Sequence, residues 1–275
     1  MSNKELYGIK TIENDEGELI REFNFLYVLE KKEEQEIKEN LKIINTFLEL
    51  AEMMNDITES FNEINSVLEN ERNAREKISK LISNYLSKIR AYQDGMAHFL
   101  KENYKSSEDI LKNALSHEYD NKFSYRYLNQ LRNYLQHRGR EAYSTLRAYY
   151  DDGKAKVKVY MNNKTFINEY PKMKAELRNE LSLDLEADID IIRQIKRMQV
   201  SMMTIHQKVI NSCIDINLCK AIKHIYSYKE KYQEYEEITI MDKYNKETNM
   251  IENMELLNIR IVSELIKDIR IKVKR

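Results

Sequence analysis

The sequence predicts an all-α protein of long helices with two small β-hairpin elements. Among 275 residues there are only five Gly and one Pro, the residues that break helices and shape tight turns. Apolar residues recur every three or four positions along most of the chain, as on the buried face of a helix. Hydrophobic residues make up 42% of the chain and charged residues 33%, which suits a packed core beneath solvated helix faces.

The N-terminal segment is the least helical part of the sequence. Two apolar runs, 5–12 and 19–28, flank the turn-forming stretch 13–17, and this pattern predicts a β-hairpin or extended arm over residues 1–30. Helical spacing begins near residue 31. It predicts a helical bundle over 31–235, most clearly where apolar residues step by three or four from Ile78 to Leu100.

The middle of the bundle contains a helix predicted over about 121–139. Asp120 or Asn121 is placed to cap its start, and Gly139 is placed to end it. Its apolar seam consists of Leu128, Leu131 and Leu135.

The segment after this helix changes character. Residues 154–160 alternate between Lys and apolar side chains, the Asn162-Asn163-Lys164 run suits a turn, and 165–167 can return as a strand. This predicts a β-hairpin insert over about 154–168. Beyond Pro171, long helical patterns resume, interrupted near 211–217, and residues 236–275 are predicted to hold a C-terminal helix. The helices after Pro171 either pack on the same bundle or form a separate sensor.

The formal net charge of −1 conceals a strong asymmetry. Residues 1–70 hold seven Lys/Arg against seventeen Asp/Glu, whereas residues 121–160 hold nine against three. Eight Tyr lie between 119 and 160. A basic, Tyr-rich strip suits neutralisation of a nucleic-acid backbone and base stacking, although solvated helix faces with half-buried Tyr rings produce the same pattern.

Several classes of protein are excluded or disfavoured by composition. No stretch of about 18 apolar residues occurs, so we expect no membrane association, and the N-terminus shows no apolar signal region. Cys213 and Cys219 fit neither a disulfide framework nor a zinc site, and we expect buried or semi-buried thiols in a cytoplasmic protein. The sequence suggests no metal site and no cofactor, because Walker, Rossmann and zinc-protease strings are all absent.

Residues 125–139 read YRYLNQLRNYLQHRG, in which Arg132 precedes His137 by five positions and is followed by Asn133. This string resembles the active-site helix of HEPN-family proteins, and the preceding run from Tyr119 resembles a set of bacterial members associated with host defence. The resemblance covers about 76–140. It implies a HEPN-like helical bundle and a metal-independent RNA endonuclease in phage defence or a toxin-antitoxin system, with RNA as substrate and an antitoxin or regulatory protein as a further partner. Because the motif occurs once, it also implies a homodimer in which two motifs build one composite site.

The chemistry of the motif fits that expectation. Histidine is the side chain suited to proton transfer near neutral pH, so His137 is the candidate general acid or base, whereas Arg132 offers a forked cationic donor set to phosphate oxygens. Asn133 lies four positions before His137, on the same helix face, and suits an orienting role. We expect catalysis from these three residues. The candidates for RNA backbone contacts are Arg126, Arg138 and Arg140.

Other interpretations of the motif stay open at this stage. In one, the chain is a non-catalytic helical module that dimerises or binds a partner, with His137 and Arg138 stabilising a helix end through the dipole. In another, a partner enzyme transfers a nucleotide onto Tyr134. His206 and His224 are interpreted as satisfied polar side chains on helix faces.

Overall fold

The protein is described by a computed structural model, which covers residues 4–138, 141–151, 154–242 and 253–273. The described chain is mostly helical and carries two small antiparallel sheets. The predicted mainly helical character is therefore confirmed. The term all-α is too narrow, since each sheet gains strands beyond the two predicted hairpins.

The elements are numbered in chain order. The helices are α1 (Lys31–Glu52), α2 (Asn55–Val67), α3 (Glu71–Asn103), α4 (Glu108–Asn121), α5 (Phe123–Arg138), α6 (Asn163–Glu169), α7 (Ala175–Ser182), α8 (Ile191–Cys213), α9 (Ile216–Lys231) and α10 (Ile259–Val273). The strands are β1 (Glu5–Glu13), β2 (Leu19–Val28), β3 (Thr145–Asp151), β4 (Lys154–Asn162), β5 (Asp188–Asp190), β6 (Glu237–Met241) and β7 (Glu255–Leu256).

The chain divides into two compact units, and their boundaries differ from the predicted ones. One unit combines Met1–Glu49 with Ile214–Arg275, and the other is Leu50–Cys213. The N-terminal arm and the C-terminal segment thus belong together, because β6 pairs with β1 over more than 220 positions of sequence. Sequence periodicity carries no information about such a distant strand partner.

The first unit is built on a sheet of strand order β2-β1-β6-β7. The predicted N-terminal hairpin is present, with Gly17 in the left-handed region at φ +80° in its turn. Gly8 in β1 lies beneath the ring of Tyr235, where a Cβ atom would approach ring carbons within 2.4 Å. Only glycine leaves space for that ring against the strand.

The second unit contains the predicted motif helix. Apolar side chains of α3, α5 and α8 supply much of its core, including the fully buried Ile78, Ile82, Leu128, Leu131, Ile195 and Met202. The interruption predicted near 211–217 is confirmed, since α8 ends at Cys213 and α9 begins at Ile216. Cys213 is buried and Cys219 is half-buried, as expected.

The predicted N-terminal cap of the motif helix is wrong. Asp120 and Asn121 belong to the last turn of α4, and the chain leaves helical geometry only at Lys122. The carbonyl of Lys122 accepts the N–H groups of Tyr125 and Arg126 and so begins α5. Gly139, predicted to end this helix, lies outside the described residues.

The predicted hairpin insert pairs differently from the expectation. β4 does form, but its partner is the preceding β3, and residues 165–167 lie in α6 rather than in a returning strand. The Asn162 side chain accepts the backbone N–H of Thr165 at 3.2 Å, so it caps a helix where a turn was expected. Asn serves both purposes well, and tertiary packing decides between them.

Candidate functional site

The motif helix α5 is held by apolar packing along one side. Leu128, Leu131 and Leu135 are buried, which confirms the predicted seam. The rings of Tyr127 and Tyr134 each meet Phe166 of α6 edge-to-face at 5.5 Å between centroids. Aromatic and aliphatic packing therefore fixes the rotation of α5 about its own axis. That rotation decides which motif side chains face solvent.

Arg132 and Asn133 line a cavity of about 360 Å³. The cavity wall includes two further cations, Arg90 of α3 and Lys174 just before α7. The remaining wall residues are mostly polar: Gln93, Leu115, Ser116, Tyr119, Tyr125, Asn129 and Gln130. Three cationic side chains on one small cavity make it suited to an anion.

The guanidinium of Arg132 is only partly satisfied within the chain. Its Nη1 donates to Oδ1 of Asn133 at 3.2 Å, and its buried Nε has no hydrogen-bond partner among the described residues. Burial lowers the pKa of Arg132 and the nearby Arg90 lowers it further, whereas Asp94 acts in the opposite direction. An oxyanion in the cavity would relieve the repulsion between Arg132 and Arg90.

Among the cations of the cavity wall, Arg90 forms an ion pair with the carboxylate of Asp94. Its guanidinium pairs with the Asp94 carboxylate at 2.9 Å from Nε and 2.8 Å from Nη2. Both side chains are about half exposed, so solvent screens this pair. Lys174 lies with its Nζ 4.6 Å from the centre of the Tyr119 ring, which keeps the ammonium at the cavity wall.

His137 lies apart from that cavity. It is exposed on the last turn of α5 and is not among the cavity-lining residues. Five positions correspond to about 140° around an ideal helix, which accounts for the separation from Arg132. Asn133, four positions before His137, lies on the cavity wall between them. A single chain therefore places Arg132 and Asn133 on one cavity and leaves the imidazole of His137 exposed to solvent.

Among the three candidate RNA-contacting arginines, the structure describes the side chain of Arg126 alone. Arg126 is 8% exposed, and its Nη1 donates to the carbonyls of Tyr119 and Asp120 at 2.9 and 2.8 Å. Its Nη2 pairs with Glu180 of α7. These bonds occupy the guanidinium of Arg126 in joining α4, α5 and α7, so the expected RNA contact of Arg126 would have to break them. The side chain of Arg138 and all of Arg140 lie outside the described residues.

Comparison of the chain with protein-family models, with curated proteins and with solved structures finds no match.

Tyr134 is a poor acceptor for a nucleotide. Its side chain is 2% exposed and its hydroxyl donates to the Glu169 carboxylate. A modifying enzyme would have to open the packing between α5 and α6 to reach it. The geometry therefore speaks against the nucleotide-transfer interpretation.

The remaining histidines of interest are satisfied, as predicted. Nδ1 of His206 lies 3.0 Å from the Tyr92 hydroxyl, and its Nε2 lies 3.2 Å from the Ala51 carbonyl. Burial lowers the pKa of His206. His224 contacts the Asn40 amide at 2.9 Å. Across the described residues, no group of three or more His, Cys, Asp or Glu side chains is arranged to hold a metal ion, and no helix is both long and apolar enough to cross a membrane.

Sequence reasoning missed Arg90 and Lys174. Arg90 lies on a different helix and Lys174 lies in a connecting segment, 42 positions either side of Arg132. The one local signal was the Arg90–Asp94 spacing of four, which marks an exposed helical ion pair and indicates nothing about a cavity.

Proposed function

We propose that this chain is a metal-independent RNA endonuclease that cleaves by 2′-hydroxyl attack and acts as a homodimer. The observation that carries the proposal is the cationic cavity around Arg132, whose buried Nε lacks a partner among the described residues. A phosphate oxygen is the ligand that this guanidinium best accommodates. The bacterial defence or toxin setting, and with it a cognate antitoxin or regulatory protein, rests on the resemblance of the motif string to HEPN proteins.

The proposed reaction uses three residues of the motif. A neutral His137 removes the proton from the 2′-hydroxyl, the 2′-oxygen attacks the adjacent phosphorus, and the bond from phosphorus to the 5′-oxygen breaks. The imidazolium that results gives this proton to the leaving oxygen. Arg132 holds the non-bridging oxygens as negative charge develops on them, and Asn133 orients the phosphate or the ring. The products are a 2′,3′-cyclic phosphate and a 5′-hydroxyl.

A second copy of the chain supplies what one copy lacks. The reaction needs an imidazole beside the phosphate that Arg132 holds, and the cavity of Arg132 does not include the His137 of the same chain. Two α5 helices meeting near their C-terminal ends would bring the His137 of one copy to the cavity of the other.

The rival is a non-catalytic module that dimerises or binds a partner through the same helix. The observation that favours it is the absence of His137 from the cavity that Arg132 and Asn133 line. In that case the cavity binds an anionic group, such as a phosphate, without cleaving it.

One experiment separates these two functions. Purified protein is incubated with total RNA in EDTA, and wild type is compared with His137→Ala, Arg132→Ala and the control His98→Ala. His98 is a matched control because it is an exposed helical histidine, with 73% side-chain exposure, on α3. We expect cleavage by wild type and by the control, with a loss of roughly 100-fold or more in the two motif variants.

The chemical groups at the ends of the RNA fragments give a second readout. Mass spectrometry of the fragments should find cyclic phosphates at the 3′ ends. Equal cleavage by wild type and His137→Ala, or cleavage by neither, would favour the interaction module over the nuclease.

A further inference from the structure

Two neighbouring cavities of the second unit share a cationic wall on α8. The first, of about 540 Å³, lies at the start of α5 and is lined by Lys122, Phe123, Arg193, Lys196 and Arg197 among others. The second, of about 440 Å³, lies between α8 and the sheet and again includes Arg193 and Lys196. These two residues therefore form a ridge common to both cavities. We call the combined surface the α8 groove.

The exposed face of α8 explains why these cations point into solvent. Ile192, Ile195 and Met198 are buried on the inner face of the helix. The outer face carries Arg193, followed three and four positions later by Lys196 and Arg197. All three side chains are exposed. The part of the chain that the structure describes provides no ion-pair partner for any of the three.

The groove is strongly positive. Its lining contains six cationic side chains against two carboxylates, which leaves an excess of four positive charges; these residues are Lys122, Lys156, Lys158, Arg193, Lys196 and Arg197 against Glu69 and Asp190. The whole chain has a formal net charge of −1, so the excess is local. A local excess of positive charge attracts a polyanion.

One aromatic ring, that of Tyr149, lies among the cations on the sheet that forms the other wall. In the β3–β4 ladder Tyr149 lies opposite Lys156 and Arg147 opposite Lys158, so these four side chains share one face. Nζ of Lys158 lies 4.9 Å from the centre of the Tyr149 ring. Tyr149 is 37% exposed, so its ring is open to stacking by a ligand.

We propose that the α8 groove binds single-stranded RNA, with the α8 cations on the phosphates and Tyr149 stacking on a base. An acidic polypeptide would match the charge but would have no use for an exposed ring placed among the cations. A single strand uses both, since its bases are free to stack. The inference rests on the proposed function only for the choice of RNA as the nucleic acid.

The groove is separate from the motif cavity. It meets α5 at Phe123, whereas Arg132 and His137 lie about 14 and 21 Å further along the axis of an ideal helix. An RNA strand seated in the groove can continue along α5 toward the motif. The groove would then contribute affinity and leave the cleavage chemistry to the motif.

Binding is tested with a fluorescein-labelled single-stranded RNA of mixed sequence in which every 2′-hydroxyl is O-methylated. This probe cannot be cut by 2′-hydroxyl attack, so anisotropy reports binding alone. The double variant Arg193→Gln with Arg197→Gln is compared with Lys112→Gln combined with Lys208→Gln. The control removes the same charge from two exposed lysines on α4 and α8 that do not line the groove.

We expect the groove variant to lose roughly tenfold in affinity at low salt and the control to bind as wild type does. The dependence of the logarithm of affinity on the logarithm of salt concentration should become shallower by about 1.4, because two phosphate contacts are removed. Loss in the control equal to that in the groove variant would overturn the inference, since net charge alone would then explain binding.

A second pair of variants tests the ring. Tyr149→Leu should weaken binding of the probe roughly five-fold or more, whereas Tyr150→Leu should not. Tyr150 is the matched control because it is 82% exposed on the opposite face of the same strand. Equal effects of the two variants, or displacement of the probe by polyglutamate at equal charge concentration, would overturn the inference and favour an acidic protein partner.

Cleavage of unmodified RNA separates this inference from the proposed function. Wild-type protein that binds RNA through the α8 groove without cutting it would overturn the proposed nuclease activity but not the proposed RNA binding. RNA cleavage with unchanged KM in the Arg193→Gln, Arg197→Gln variant would overturn the proposed RNA binding by the groove but not the nuclease activity.

Discussion

Two arginines six positions apart on one helix have opposite environments. Arg126 is buried, and its Nη atoms are bonded to two carbonyls and to Glu180. Arg132 lines a cavity instead, although the buried Nε of each arginine lacks a hydrogen-bond partner among the described residues. The sequence marks both as basic residues near a motif. What separates them is Glu180, 54 positions away from Arg126, and no local pattern contains that contact.

Replacing Arg126 should destabilise the protein and leave RNA binding unchanged. Arg126→Met removes a guanidinium that bonds the last carbonyls of α4 and pairs with α7. Breaking a buried pair costs about 3–5 kcal/mol, and we expect roughly 2–4 kcal/mol here because Glu180 is one third exposed. The measurement is the free energy of unfolding in urea.

The double variant Arg126→Met with Glu180→Met is the control for that prediction. It removes the carboxylate that the single variant leaves without its partner, so its destabilisation should be smaller than the sum of the two single variants. An Arg126→Met protein with wild-type stability and weakened RNA binding would instead restore Arg126 to the role of an RNA contact.

At the scale of elements, helices were predictable and strand partners were not. The apolar spacing that predicts α3, α5 and α8 is produced by the buried faces that these helices present to the core. The pairing of β6 with β1 depends on contacts between residues more than 220 positions apart, whereas β4 pairs with β3, the strand immediately before it. The motif residues are close together in sequence and could be recognised there. Arg90 and Lys174 each lie 42 positions from Arg132, so no local pattern linked them to the cavity.

The start of α6 gives an element-scale prediction. Asn162→Ala removes the acceptor for the backbone N–H of Thr165, and loss of such a cap costs about 1 kcal/mol. Because α6 carries Phe166 against Tyr127 and Tyr134, the loss should also loosen α5, which amide hydrogen exchange along 123–138 would detect.

Asn162→Ser is the matched control, since a serine hydroxyl replaces the capping acceptor. We expect it to recover most of the stability, although it lacks the amide that donates to the Glu186 carbonyl and the Asp188 carboxylate. If the alanine and serine variants unfold at the same urea concentration, the cap contributes nothing and the extra amide bonds account for the effect.

At the scale of the whole molecule, one chain offers half of what the proposed chemistry requires. The cationic cavity does not include the exposed imidazole of the same chain, and each chain has one motif. The proposed composite site therefore places the Arg132 cavity of one copy against the His137 of another. In such a dimer, neither residue needs a partner from its own chain.

Mixing two inactive variants tests that arrangement directly. Arg132→Ala and His137→Ala should each be inactive alone, but heterodimers formed after the two are mixed contain one intact pairing of cavity and imidazole. We expect partial RNA cleavage to return as subunits exchange, in proportion to the heterodimer fraction measured by native mass spectrometry. A mixture of Arg132→Ala with the double variant Arg132→Ala, His137→Ala is the control and should remain inactive, because it contains no intact Arg132. If heterodimers form and the first mixture stays inactive, the two residues do not complement across the interface and the composite site is disproved.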